Sequence, residues 1–490
     1  MLRRLSFAAL LAGALAINAA TLPLQEDRSV SPGKVERKNR VPVSKDVLRV
    51  MLPKPTETTL SNGVTVLTIE DHRLPLISVQ YNISGAGGLY EPADLPGLAG
   101  ITATMLREGT KTRKSVDIAE ETETLGARIN ASSGFGSAVT TVRASGLSDN
   151  FEKWFDLAND ILLNPSFPAD ELQRLKERTK LALRQQRTQS GFLLSERFSR
   201  AVYGSHPAAT VSATPASVDA MTPQTLADWH RERYTPQNTI LGITGDVHTA
   251  DLIAKLEKSL AGWKKTEMKE VLPANPKPVA AKKVYLVDRP GSVQTSLIMG
   301  NIAIDRRDPD YIPLTVMNHV LGGGAASRLF LNLREDKGYT YGARSSFTAL
   351  KYPGAWRAFA DVRTEVTDGA MTEFFREIQR MRDQRVPENE LEDAKRAIVA
   401  SFALSLEDPD ELLSYAVVRK IYDFPTDYWD TYPMKVMAVS GDDVQRLARK
   451  YLNLDNIQVV AVGDASKIRP VMEKYGPLEV YDAEGKKIGN

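Results

Sequence analysis

The side chains of this chain that can do metal or nucleophilic chemistry are few enough to judge one at a time. There is no cysteine among 490 residues, which removes thiolate as nucleophile and as metal ligand, and disulfides as a source of stability. Five histidines remain: His72, His206, His230, His248 and His319. No two stand three or four residues apart, so none forms the same-face helical pair that a His-x-x-x-His zinc clamp requires. His206 lies in a loop signal (GSHPAA), His230 on an amphipathic helix and His319 in an apolar one (PLTVMNHVLGGG). Each reads as an ordinary satisfied or exposed histidine, and the sequence supports no metal site in this chain.

The other candidate is VLGGGAASRLFLNLREDKGYTYGARSSF, residues 320 to 347. Gly322, Gly323 and Gly324 release the backbone from its usual steric limits and let a ligand or another chain approach. The following SRLFLNLREDKG has a helical pattern: Ser327 is near its start, Leu329, Phe330 and Leu333 are its apolar face, and Gly338 is placed to cap it. Arg334 and Tyr341 then stand seven apart. Together they can offer a guanidinium and a phenol to a peptide carbonyl or its oxyanion. The plainer reading of the same pattern is a flexible loop followed by a helix with a surface Arg.

The elements that must position these residues repeat. Asn238 precedes Gly245-Asp246 in NTILGITGDV as Asn456 precedes Gly463-Asp464 in NIQVVAVGDA. Pro168-x-x-Glu171-Leu172 recurs as Pro387-x-x-Glu390-Leu391, and each copy leads into a long amphipathic stretch. Two anchors at nearly one offset indicate a duplicated domain. Within each copy, β-branched or alternating runs (VTVLTIEDH, PLISVQYNIS, TTVRAS, GAWRAFADVRT) lie among helical patterns such as FEKWFDLANDILLN and DDVQRLARKYL. The expected class is α+β: two homologous half-domains, each an antiparallel sheet covered by helices on one face. The halves span residues 55–269 and 284–490, joined by a Pro-punctuated linker at 270–283.

Composition adds limits. The 63 Lys and Arg against 61 Asp and Glu leave a charge of +2, which carries no footprint for nucleic acid or an anionic membrane. Residues 1–20 have the basic start, apolar run and small residues of a cleaved export signal, and 21–54 form a polar extended lead. The expected location is the periplasm, with full secretion as the alternative.

From about residue 55 to 480 the chain resembles the M16 family of zinc peptidases, the group of insulin-degrading enzyme, pitrilysin and the mitochondrial processing peptidase. The resemblance is densest at LSNGVTVLTIEDHRLPLISVQYNISGAGGLYEP, at GSHPAATVSATPASVDAMTPQTLADWHRERYTPQNTILGITGDV and at VLGGGAASRLFLNLREDKGYTYG. It implies two half-domains of the LuxS/metallopeptidase type that form half of a clam-shell chamber. It places the family's Arg and Tyr on Arg334 and Tyr341, with Tyr339 as a neighbour that confuses the assignment. In active members a Gly-x-Ala turn is followed by His-x-x-Glu-His. Here Gly97-Leu98-Ala99 matches the turn, and the three functional positions fall on Gly100, Ala103 and Thr104. The third ligand, a family Glu on a later helix, falls on Arg184 or Gln185.

The zinc set is thus lost and the Arg/Tyr set kept. The resemblance implies the non-metal subunit of a heterodimeric zinc peptidase, which binds peptide and its carbonyl while a partner carrying His-x-x-Glu-His holds the zinc. Endopeptidase activity is then expected only in the complex. The alternative is a non-catalytic scaffold or peptide-binding protein resembling the core subunits of respiratory complexes.

Overall fold

Among the described residues, alternating and continuous apolar runs build thirteen strands. In the first half these are β1 Thr56–Thr59, β2 Thr65–Glu70, β3 Leu76–Ser84, β4 Arg128–Ser133, β5 Val139–Leu147 and β6 Thr239–Gly245. In the second they are β7 Lys283–Asp288, β8 Gln294–Ile302, β9 Thr340–Phe347, β10 Ala355–Arg363, β11 Gln458–Gly463, β12 Leu478–Tyr481 and β13 Lys487–Gly489. The structure is a computed structural model describing residues 49–489; residues 1–20, expected to be an export signal, and the expected lead up to residue 48 lie outside the described residues.

Each half forms one sheet, in the order β1-β2-β6-β3-β5-β4 and β13-β12-β7-β11-β8-β10-β9. The duplication is carried into the pairing. β2 and β7 begin at Thr65 and Lys283, β3 and β8 at Leu76 and Gln294, so both pairs keep the offset that separates Asn238 from Asn456. β6 inserts between β2 and β3 as β11 does between β7 and β8. The sheets are largely antiparallel, but β6 runs parallel to β2, and β7 parallel to both β11 and β12. A strand that returns after a long helical excursion is free to enter parallel, and the fully buried QVVAVG of β11 is the sequence of such a central strand.

Helices cover the inner faces. Phe151–Leu163 buries Phe151, Trp154, Phe155, Ala158 and Ile161, an i, i+3, i+4 stripe, and Trp154 Nε1 donates to the Leu147 carbonyl at 3.0 Å. Thr367–Asp383 does the same with Ala370, Met371, Phe374, Ile378 and Met381. Pro223 opens Pro223–Arg233 behind a Thr222 cap whose hydroxyl accepts from the Thr225 amide.

One-sided coverage does not hold, because each sheet receives a helix from the opposite half on its other face. Ser190–Tyr203 of the first half lays Leu193, Leu194, Phe198 and Val202 on Tyr285, Val287, Ile298, Val460 and Val462. Pro409–Ile421 of the second half lays Leu413, Ala416 and Val417 on Leu67 and Ile69. Gly242 in β6 makes room for this, since a Cβ there would stand 2.9 Å from Leu413 Cδ1. This reciprocal exchange makes the halves parts of one compact unit. The linker adds a polar tie: Glu270 accepts from Tyr90 of the first half at 2.5 Å and from Lys351 of the second at 2.6 Å.

Candidate functional site

The helix Leu98–Met105 starts at Gly97, whose φ of +97° is the left-handed geometry that favours glycine. Its first free amides are held by one side chain: Glu91 accepts from Gly97 N at 2.8 Å and from Ala99 N at 2.7 Å. Burial dominates over these two bonds and pushes the Glu91 carboxyl up to about 7. Leu98, Ala99, Ile101, Ala103 and Met105 enter the core.

The opposite strip, Gly100 and Thr104, faces a cleft of about 700 Å³, together with Ser132 and Ser133 of β4 and Gln185 of the helix Ala169–Gln186. The fold therefore brings together the outer zinc-motif positions and the third-ligand position expected from the sequence, and it selects Gln185 over Arg184. Ala103 does not join them, being fully buried. These residues do not fit zinc. Gly100 has no donor, and the Thr104 hydroxyl already donates to the Gly100 carbonyl at 2.9 Å. A neutral amide at Gln185 is a weak ligand for this ion.

In the second half, Arg328–Phe330 forms a helical turn that widens into a π-helical stretch, Leu331–Asp336. Gly338 ends it as expected, with φ +61°, its amide on the Arg334 carbonyl at 3.1 Å and the Tyr339 amide on Leu333 at 2.9 Å. The Arg334 guanidinium lies 4.7 Å above the Phe330 ring and 3.4 Å from Glu335, with its side chain 46% exposed. Tyr341, on the edge strand β9, is 91% exposed. Tyr339 is packed instead: a Cβ at Gly369 would stand 2.9 Å from its hydroxyl. Of the two phenols, Tyr341 is therefore the one held out to solvent.

The glycine run divides as well. Gly322 is buried against β9, where a Cβ would meet the Ser345 amide nitrogen at 2.2 Å, so its bare Cα serves packing. Gly323 is exposed and Gly324 half-buried, and these two are what the turn presents outward.

Sequence reasoning missed a charged cavity of about 660 Å³ in the second half. Arg328 forms a bidentate pair with Glu390, Nε and Nη2 each at 2.7 Å, while its side chain is only 5% exposed. Asn332 donates to both Glu373 and Glu377 at 2.8 Å, and Arg376 and Arg380 close those carboxylates from outside. Arg328 stands in the quoted Ser-Arg-Leu motif and Glu390 in the repeat anchor, but nothing local says that two residues so far apart along the chain will meet.

Two histidines are held by backbone hydrogen bonds, and a third, His319, lines the charged cavity. His206 accepts from the Ala208 amide, His230 bonds to the Leu162 carbonyl at 2.7 Å, and burial lowers both pKa values, that of His230 to about 4. Burial also lowers His319. His72 and His248 behave differently. Though they lie at opposite ends of the first half in sequence, their ring centroids lie 5.0 Å apart, a meeting that spacing along the chain does not reveal.

Two sheets of duplicated topology, each with a long helix that follows a proline, define an α+β protein of two homologous halves, and its first cleft presents Gly100, Thr104 and Gln185 where a zinc set is expected, with Glu91 the one carboxylate in its lining. Two family models match: "Insulinase (Peptidase family M16)" over residues 66–215 and "Peptidase M16 inactive domain" over 220–398. The chain belongs to the M16 peptidase family. An uncharacterized zinc protease of Mycobacterium leprae is 26% identical over 73% of this chain and 80% of its own. A solved peptidase M16 inactive domain from Pseudomonas fluorescens superposes with a TM-score of 0.77 at 26% identity, covering 84% of this chain and 98% of that one. The periplasmic protease PqqL of Escherichia coli shares the fold, with a TM-score of 0.72 at 15% identity over 88% of this chain and 48% of its own. Among the described residues no helix is long and apolar enough to cross a membrane.

Proposed function

We propose that this chain is the non-metal subunit of a heterodimeric M16 zinc peptidase. The observation that carries this reading is the contrast between its two sets of residues. The cleft that should hold the metal is lined by Gly100, Thr104 and Gln185, while Arg334 and Tyr341 stand exposed at a sheet edge. A phenol 91% exposed to water does little on its own chain. Against a partner's cleft it is desolvated, and its hydroxyl donates to the scissile carbonyl oxygen as negative charge develops there. Arg334 supplements that donor or orients the peptide, and the outward Gly323 and Gly324 let the peptide backbone pass close.

The partner carries His-x-x-Glu-His, its zinc and the attacking water, and an unfolded peptide adds as a strand to an exposed edge of the partner's sheet. The residue 1–20 signal supports work in the periplasm, as does the fold shared with a protease of that compartment.

The test is co-expression with an M16 chain that carries the zinc motif. The two should co-purify, and only the mixture should cleave peptides. Tyr341→Phe should lower kcat of the complex about 10²-fold with assembly intact. Unchanged turnover in that variant removes the catalytic role. Two chains that purify separately and never cleave together leave the scaffold reading.

A further inference from the structure

The pairing of His72 with His248 lies outside both clefts. β2 and β6 run parallel and end side by side at Glu70 and Gly245, and the chain after each strand turns over the same end of the sheet. Asp71 N bonds to the Gly245 carbonyl at 2.8 Å and Asp246 N to the Leu76 carbonyl at 2.9 Å, so both turns are anchored by main chain. Glu70, His72 and His248 thereby bring one ligand atom each to within 4.8 Å of one another, the one such group of three among the described residues.

Their orientation is set by neighbours. His72 Nδ1 sits 2.8 Å from Asp246 Oδ1, and Asp246 Oδ2 in turn accepts from Ser148 Oγ at 2.8 Å. A proton on Nδ1 leaves the Nε2 lone pair free, which is the carboxylate–histidine arrangement found behind metal-bound imidazoles. That Nε2 stands 3.5 Å from Glu70 Oε2. Ligands about 2.0–2.1 Å from a tetrahedral zinc are separated by about 3.3 Å, so the spacing already suits a shared ion. The other Glu70 oxygen, Oε1, is held by the Thr249 amide at 2.9 Å and hydroxyl at 2.5 Å, which aims Oε2 at His72. His248 precedes Thr249 at the start of the helix Thr249–Ser259 and faces the His72 ring.

We propose that Glu70, His72 and His248 bind one divalent transition-metal ion of the zinc type, with Asp246 as the positioning carboxylate and water in the open fourth position. The site is remote from the degenerate cleft. Gly245 pairs with Ile77, whereas Ser133 of the cleft lies in the row of Thr140 and Ile83, about 20 Å further along β3. The ion clips the ends of two strands together and takes no part in the reaction proposed for Arg334 and Tyr341. Zinc stoichiometry of the isolated chain therefore says nothing about peptidase activity until the ion is located.

The experiment is calorimetric titration of the tag-free, chelator-stripped chain with zinc chloride, followed by cobalt substitution to read the coordination spectrum. One ion per chain is expected, with His72→Ala and His248→Ala each weakening binding at least about tenfold and Asp246→Asn about tenfold. Thr104→Val, in the cleft, should leave the titration unchanged. These side chains are exposed, and circular dichroism confirms that the variants are folded. Binding of less than a tenth of an equivalent, or binding indifferent to His72→Ala and His248→Ala, overturns the site.

Discussion

The two clefts lie against corresponding helices, at different ends of them, and are filled in opposite ways. In each half an 18-residue helix follows a proline, Ala169–Gln186 after Pro168 and Glu388–Ser405 after Pro387, and forms one wall. In the first half the C-terminal part of that wall faces Gly100 and Thr104 across a cleft of small, hydroxyl and amide residues whose one carboxylate is Glu91. In the second it supplies Glu390 to a buried Arg328 beside a web of Asn332, Glu373 and Glu377. The difference teaches that the core and the lining of this fold are separable. Leu98, Ala99, Ile101, Ala103 and Met105 hold the helix Leu98–Met105 in the core whatever its outer strip carries, so Gly100 and Thr104 can stand at the cleft while that helix stays in place.

Glycine substitutions should separate the halves most sharply. Gly322→Ala puts a Cβ 2.2 Å from the Ser345 backbone nitrogen, so β9 or the turn must shift, and urea unfolding should show a loss of about 3 kcal/mol. Equal stability would mean that the turn is looser than its packing against β9 implies. The charged cavity comes next. Glu390→Gln leaves the buried Arg328 without its counter-ion and should cost about 2 to 3 kcal/mol, reduced from a fully buried pair because Glu390 is 26% exposed. A neutral result would place both groups in water and erase the contrast with the first cleft.

The pH dependence of the first cleft is smaller and has a definite sign. Glu91 is raised from 4.5 to about 7 by burial, so between those values the folded chain holds a proton that the unfolded chain releases. Its contribution is complete below about 4.5 and falls as pH rises to about 7, at about 1 kcal/mol per unit. Denaturation of the wild type and Glu91→Gln at pH 5, 6 and 7 should show that slope only in the wild type. A slope shared by both would assign it elsewhere. Smallest of all are changes to the ligand-free strip. Gly100→Ala sets a helix-propensity gain of about 1 kcal/mol against a tight 3.3 Å approach to the Ser133 carbonyl, for a net change within about 0.5 kcal/mol. Thr104→Ala, losing an exposed hydroxyl bonded to its own helix, should also stay within about 0.5 kcal/mol. A large loss at either position would show that the strip carries structure after all.

Much of this was legible in the chain itself. The internal repeat foretold the strand correspondence, and Gly338 foretold its helix end. These are signals of local chemistry: periodicity and a cap. Less legible were the parallel returns of β6 and β11, the exchange of Ser190–Tyr203 and Pro409–Ile421 between halves, and the burial of Arg328. An amphipathic helix states that it has a face to bury, but not which of two similar sheets will take it.

The histidines mark the boundary most clearly. Sequence by itself determined that no helix carries a histidine pair and that the zinc motif is gone, because same-face placement on a helix depends only on spacing. Only the tertiary structure decided that His72 and His248 meet, and that Tyr341 rather than Tyr339 is held out to solvent. Both outcomes follow from strands brought together across the sheets, where proximity depends on register and topology and leaves no trace in the distance along the chain.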